Sequence, residues 1–176
     1  TGACLFIRSE IYNQMGGFDE SFFAHMEEID LCWRINNDGH SVFYCGSSTV
    51  FHVGGGTLSR ANPKKTYLNF KNGLTLLFKN LPFFHLFWIL PLRLLLDLVA
   101  SVKFFFFDSH KDAFAIIKAH WDFTFNFFDN IRSRKRVSKI IPSRKIHPAI
   151  LKGFIIFFYY LFKRKYFSDL KFYHKK

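Results

Sequence analysis

Gly16-Gly17-Phe18-Asp19-Glu20-Ser21-Phe22-Phe23-Ala24-His25-Met26-Glu27-Glu28-Ile29-Asp30-Leu31-Cys32-Trp33-Arg34 is the stretch from which the rest of the chain is best read. Two glycines stop the element before them, Asp19-Glu20-Ser21 makes a turn, and an aromatic pair follows. From residue 27 to 37 the apolar side chains Ile29, Leu31, Cys32 and Ile35 recur at helical spacing, and Asp38-Gly39 breaks the pattern. Glu27 and Glu28 then stand in the first helical turn, where the helix dipole favours negative charge and tends to keep both ionised. An ionised carboxylate in a pocket is a candidate general base. Acids in a first turn also act simply as capping groups, and on the residues alone both readings stand. Asp30 and Arg34, four apart on one face, can pair and fix the helix that carries the acidic pair.

Working outward, residues 3–7 are a short apolar run suited to a buried strand, and residues 9–15 begin a short helix that Gly16-Gly17 ends. Residues 41–44 and 48–53 read as strands around a turn at Gly46. Gly54-Gly55-Gly56 follows, where backbone freedom or close approach to a ligand is needed. The head therefore reads as α/β. Beyond the glycines the texture becomes helical. Pro63-Lys64-Lys65 opens a helical segment that runs through Tyr67, Phe70, Leu74 and Leu77-Phe78 and ends at Asn80-Leu81-Pro82. Residues 83–107 are apolar except for His85, Arg93, Asp97, Ser101 and Lys103, with Pro91 inside. A third helical stretch covers roughly residues 112–128, residues 131–147 read as a basic linker, and residues 154–162 are a second short apolar run. There is no internal repeat.

The 176 residues carry 25 Lys+Arg against 13 Asp+Glu, a formal charge of +12, yet 49% are hydrophobic and 26 are Phe. That combination excludes a disordered basic tail and calls for both an acidic and an apolar partner. The charge is divided. Residues 1–60 hold three arginines and seven carboxylates, a balance of −4, which leaves +16 for residues 61–176. Three cysteines, Cys4, Cys32 and Cys45, show no metal-ligand spacing and an odd count, which points to a reducing compartment and away from a disulfide scaffold. The chain opens at Thr1 without an initiator Met or the order of a signal peptide, and is expected to be a fragment or to lack its start.

In this order the motifs closely resemble the C-terminal half of the catalytic domain of inverting family 2 glycosyltransferases, particularly bacterial rhamnosyltransferase-like members. A Gly-Gly-Phe-Asp-Glu turn, an aromatic pair, an acidic pair and an Asp-Leu-Cys-x-Arg helix fall at residues 16–20, 22–23, 27–28 and 30–34. The likeness extends over Gly2-Ala3-Cys4-Leu5-Phe6-Ile7-Arg8, Val50-Phe51-His52-Val53-Gly54-Gly55-Gly56-Thr57 and Lys65-Thr66-Tyr67-Leu68-Asn69-Phe70-Lys71-Asn72, about residues 1–80 in all.

The resemblance implies an α/β fold: the C-terminal part of a GT-A domain over residues 1–80, followed by an aromatic, basic, membrane-associating helical region over 81–176. It implies that Glu28, in the place of the family's catalytic base, deprotonates the acceptor hydroxyl for a single in-line displacement at the anomeric carbon. The family most often has Asp there, and Glu is one methylene longer, so Glu27 stands as runner-up base or orienting neighbour. Asp30 and Arg34 support the helix. His52, after an apolar run, looks like the His that completes a divalent cation site in related enzymes, although a lone His in that setting is also a common structural side chain. Imidazole suits Mn²⁺, and Mn²⁺ or Mg²⁺ bridging the leaving diphosphate would stabilise its charge. Gly54, Gly55 and Gly56 would offer backbone N–H groups to the same phosphates. The family's Asp-x-Asp metal motif does not occur in these residues. The main metal ligands are therefore expected in an N-terminal half, and this chain alone is expected to be inactive.

Residues 83–107 are long enough to cross a bilayer, but Arg93, Asp97 and Lys103 would be costly near its centre, and Arg93 and Asp97 can pair. This segment and residues 154–162 read as in-plane helices, with aromatics in the lipid boundary and Lys and Arg on anionic headgroups. A true transmembrane span over residues 83–107 and packing of the Phe-rich helices on the protein core are the alternatives. Arg132-Ser133-Arg134-Lys135-Arg136 and Lys163-Arg164-Lys165 raise nucleic-acid binding, but the aromatics come in apolar runs and no binding motif accompanies them. No nucleic acid is expected. The reading is thus a transferase moving sugar from a nucleotide-sugar donor to a glycan or lipid-linked acceptor. It would work on the cytoplasmic face of a bacterial inner membrane, against an anionic lipid surface. A non-enzymatic membrane-associated protein is the competing class.

Overall fold

Each helix must satisfy the backbone donors of its first turn, and α3 (Pro63–Asn80) does so with its own sequence. Asn62 accepts a hydrogen bond from the Lys64 N–H at 2.9 Å, and Pro63 sits where its missing N–H costs nothing. The computed structural model describes residues 2–52, 62–144, 151, 155 and 157–169. Among them the α-helices are α1 (Ser9–Gln14), α2 (Glu27–Asn37), α3, α4 (Phe83–Lys103), α5 (His110–Phe125) and α6 (Phe127–Ile140). Residues 1–144 and 145–176 are two compact units.

In the first unit α3 is the central post. Its Leu74 and Phe78 are buried, as are Ile116, Ala119 and Phe123 on α5, and Phe78 meets Phe123 edge-on at 6.0 Å. Two polar clasps join the same helices: Thr66 Oγ1 donates to Asp112 at 2.5 Å, and Tyr67 Oη to Asp122 at 2.7 Å. A second core lies where the head meets α6: Met15, Leu31 and Ile35 pack with Val137 and Ile141. Arg134 of α6 donates to the carbonyls of Phe78 and Leu81, placing a cation at the C-terminal end of α3, where the helix dipole favours it.

Helix α4 turns Arg93, Asp97 and Ser101 toward the protein and leaves His85 and Lys103 exposed. Arg93 pairs with Asp97 at 2.6 Å, Asp97 also meets His120 of α5 at 3.3 Å, and Ser101 donates to the Ala113 carbonyl. The Arg93 guanidinium lies over the Phe70 ring and beside Gly73 of α3, where an added Cβ would stand 3.6 Å from it. A π-helical turn, Phe104–Asp108, continues the helix, and Ser109 caps α5 by accepting from the Asp112 N–H.

The α/β expectation for the head, and with it the GT-A architecture, is corrected: among the described residues there is no strand. A strand needs a neighbour for its N–H and C=O groups and a layer on which to bury one face. Residues 3–7, 41–44 and 48–52 form no ladder with one another, and Phe6, Phe43, Tyr44 and Phe51 are 93, 88, 92 and 97% exposed. The linker read over residues 131–147 is corrected too, because α6 runs to Ile140. It buries Asn130, Ser133 and Val137, a helical stripe whose inward members are mostly polar and so escaped a hydrophobic-periodicity reading.

In the second unit the described residues hold a π-helical turn at Phe157–Leu161 and a 3-10 turn at Phe167–Asp169. Tyr166 N–H donates to the Asp169 carboxylate at 3.1 Å.

Candidate active site

The acidic pair is delivered by a strained loop. Phe23, His25 and Met26 have φ of 60°, 68° and 77°, values that cost a non-glycine residue about 1–3 kcal/mol each unless the surroundings impose them. Asn72 of α3 imposes them. Its side chain is wholly buried, and Nδ2 donates to the carbonyls of Phe22, Ala24 and His25, each at 2.9 Å. Helix α2 starts directly from Met26 without a side-chain cap, so Glu27, Glu28 and Asp30 supply the negative charge of its first turn.

Beneath that turn lies a buried ionic cluster. Asp30 is fully buried and accepts from Arg34 Nε at 2.9 Å, Lys79 Nζ at 2.9 Å and Asn80 Nδ2 at 2.7 Å. Lys79 also meets Asp19 at 2.5 Å, and Arg34 donates to the carbonyls of Met15 and Gly17. One network thus locks the double-glycine turn, α2 and the end of α3 together. Burial pushes the Asp19 carboxyl up, but the adjoining Lys79 ammonium and hydrogen bonds from Lys79 and Ser21 outweigh it and bring the pKa down to about 2.

The two candidate bases differ in surroundings. Glu28 Oε1 accepts from the Gly2 N–H at 3.3 Å, and a Cβ on Gly2 would press on the Glu28 side chain at 3.4 Å. Glu27 Oε2 is buried with no hydrogen-bond partner, as are His25 Nε2 on the loop and Trp33 Nε1 further along α2. With Asn37 Nδ2 and Oδ1 at the far end of α2, five such atoms lie on the loop and helix of the acidic pair, polar capacity that water or a ligand can satisfy.

His52 is exposed on irregular chain, and Gly54, Gly55 and Gly56 lie outside the described residues. Among the described residues no three His, Cys, Asp or Glu side chains converge as metal ligands. The described residues do not build a cation site by themselves. Lys64 lies over the Phe23 ring at 4.6 Å. Residue-by-residue reading did not single out Lys79 and Asn80, nor Asn72 as the anchor of the loop. Their signal was positional: Asn72, Leu76, Lys79 and Asn80 share one helical face of α3, and polar groups on an inward face need partners.

A stretch of 52 residues is 40% identical to an N-acetylglucosaminyl-diphospho-decaprenol L-rhamnosyltransferase of Mycobacterium tuberculosis, found in strains CDC 1551 / Oshkosh and H37Rv. The match covers 30% of this chain and 17% of that protein. Over 72 residues the chain is 29% identical to a low-salt glycan biosynthesis hexosyltransferase of Haloferax volcanii, covering 40% of this chain and 24% of the relative. The chain is related to glycosyltransferases. Its matched stretches span less than a quarter of the length of these relatives. No protein-family profile matches it, and no solved structure does.

Proposed function

We propose that this chain is the acceptor-side part of an inverting, family 2 glycosyltransferase acting at a membrane surface. The observation that carries the reading is the acidic pair opening α2 directly after a clamped, strained loop, with a carboxylate oxygen of Glu27 left without a partner beside Glu28. Strain held in place by Asn72 is the kind a functional site retains, and the related transferases supply the reaction class. Glu28 takes the proton of the acceptor hydroxyl as the oxygen attacks the anomeric carbon of a nucleotide-sugar. The glycosidic C–O bond forms as the C–O bond to the diphosphate breaks, and the electron pair leaves with the nucleoside diphosphate. Positioning the base before attack removes much of the entropic cost of bringing the groups together. A divalent cation, with its main ligands outside these residues and His52 as a contributor, would neutralise that diphosphate.

The membrane part of the reading rests on the outer faces of α4 and α5. Among the described residues one helix, Phe83–Asp108, is long and apolar enough to cross a bilayer. It packs along α3 and α5 with Arg93 and Asp97 turned to the protein, which supports an in-plane position with Phe84, Phe87, Trp88 and Val99 facing lipid. The acceptor is then a glycan carried on a lipid.

Glu28→Gln in the full-length protein tests the chemistry. Turnover is expected to fall at least about 100-fold with KM little changed, the usual scale for loss of a general base. Activity within a few-fold of wild type removes Glu28 from the mechanism, and the same substitution at Glu27 then decides whether the neighbour serves.

A further inference from the structure

Helix α6 has two faces. Asn130, Ser133 and Val137 are buried against the protein, while Phe128, Arg132, Lys135 and Lys139, spaced four, three and four apart, share the opposite face and are all exposed. Arg132 is held by Asp129 at 2.7 Å, and among the described residues Lys135 and Lys139 have no partner. Arg132 also stands at the edge of a polar cleft of about 540 Å³ between α3, α6 and the Ser21 turn, lined by Lys71 of α3 and Arg136 of α6. Arg136 donates to the Ser133 hydroxyl at 2.7 Å and Lys71 to the Ser21 carbonyl at 3.4 Å, and among the described residues neither has a carboxylate within ion-pair distance. With three cations and one carboxylate, Asp129, on its walls, the cleft carries +2. Like charges gathered without a counter-charge repel, and an anion between them relieves that repulsion.

An apolar surface adjoins the charge. Phe125, Phe127 and Phe128, at the corner between α5 and α6, are exposed and flank the cleft residues Asn126 and Asp129 in sequence, and Trp121 stacks on Phe125 at 4.5 Å to carry the surface along α5. A soluble anion has no use for these rings. A bilayer lipid has, because its headgroup lies directly above hydrocarbon that takes up aromatic side chains. We infer that the cleft and the outward row of α6 form a docking site for the headgroup of an anionic membrane phospholipid, a lipid that is bound and not consumed. The inference rests on the membrane-surface part of the proposed function and adds to it the element that reads lipid charge: α4 and α5 supply the apolar contact, α6 the anionic one. It also ties the lipid to the chemistry. Lys71 holds the Ser21 carbonyl, and the next residue of α3, Asn72, holds the carbonyls of Phe22, Ala24 and His25, so a headgroup on Lys71 sits against the turn that leads into the strained loop.

Two measurements on the full chain at physiological ionic strength test this. One is calorimetric titration with dihexanoylphosphatidylglycerol below its micelle concentration, and the other is flotation with vesicles of dioleoylphosphatidylcholine with or without dioleoylphosphatidylglycerol. Saturable binding of the short-chain lipid is expected, weakened at least about tenfold by Lys71→Gln with Arg136→Gln through loss of two headgroup cations. Flotation is expected to be stronger with the anionic vesicles and to fall toward the neutral level in that variant. Arg8→Gln with Lys64→Gln removes the same charge from exposed positions in the head and is expected to change either reading less than about twofold. No saturable binding of the short-chain lipid, or equal losses in the two double variants, overturns the inference. So does inorganic pyrophosphate binding as tightly as the lipid, which makes the cleft a site for a soluble anion. Flotation indifferent to lipid charge and to both variants keeps the membrane-surface reading and removes this one. Saturable binding of the short-chain lipid without flotation on either vesicle does the reverse. Should the cleft variant fail to fold, phenylglyoxal labelling of the wild type replaces it: the short-chain lipid is expected to shield Arg136 and not Arg8, and equal labelling of Arg136 with and without lipid overturns the inference.

Discussion

Asp30 is the residue on which the head depends, because Arg34, Lys79 and Asn80 all converge on its carboxylate. Removing it leaves the buried Arg34 guanidinium without a carboxylate and Lys79 with Asp19 alone, which costs about 3–5 kcal/mol, far more than the intact pair contributes over an apolar replacement. Asp30→Ala is therefore expected to lower stability by that amount in chemical denaturation, or to prevent folding of the first unit. Asp19 reports the same cluster through pH. Its carboxyl lies at about 2 in the folded protein against the usual 3.8. A depressed folded pKa means that the stabilisation is complete above the unfolded value and is lost as pH falls from about 4 through 2. The amount at stake is about 2 kcal/mol. Asp19→Asn is expected to flatten the acid limb of a stability profile between those limits, and an unchanged acid limb would assign the transition to other groups. Part of this cluster was legible in the sequence: Asp30 and Arg34 stand four apart, and the structure places them 2.8 Å apart. Lys79 and Asn80 were not, because nothing local says that residues about 50 positions away will meet Asp30.

At the scale of elements, periodicity and punctuation carried the helices. α2 was visible from Ile29, Leu31, Cys32 and Ile35 and its Asp38-Gly39 stop, and α3 from Pro63 at its start and Leu81-Pro82 at its end. The short apolar runs were ambiguous by nature, since a strand is defined by a partner that its own residues do not encode. α5 is the most informative element, because it is apolar on two sides. Ala113, Ile116, Ala119 and Phe123 face the core, while Phe114, Ile117, Trp121 and Phe125 stay exposed, and Trp121 stacks on Phe125 at 4.5 Å. A helix needs only the first stripe to fold into a soluble bundle. The second stripe is surplus to stability. Trp121→Ser with Phe125→Ser is accordingly expected to shift unfolding stability by no more than about 0.5 kcal/mol per site, while sharply reducing recovery of the protein with floated lipid vesicles. By contrast, Ser109→Ala removes the cap of α5 and is expected to cost about 1 kcal/mol in the same unfolding measurement without changing vesicle binding.

For the whole molecule, charge and apolar surface combine into one expectation about the membrane. The residues after position 60 carry +16, and the outward faces of α4 and α5 supply large aromatic side chains. Burial of exposed aromatic area provides the apolar part of binding, and each basic residue near an anionic surface adds about 1 kcal/mol that salt then screens. The orientation of α4 separates lying on the bilayer from crossing it. A crossing helix would have to carry Arg93, Asp97 and Lys103 through hydrocarbon or leave α3 and α5, whereas an in-plane helix keeps Arg93 and Asp97 paired against the protein. Depth-dependent quenching of tryptophan by brominated lipids distinguishes the two. In-plane binding places both Trp88 and Trp121 near the headgroups, so quenching is expected to be strongest with shallow bromines, stronger on anionic than on neutral vesicles, and weaker as salt rises. Maximal quenching of Trp88 by bromines at the bilayer centre, insensitive to salt, would make α4 a spanning helix and would require it to part from its neighbours in the bundle.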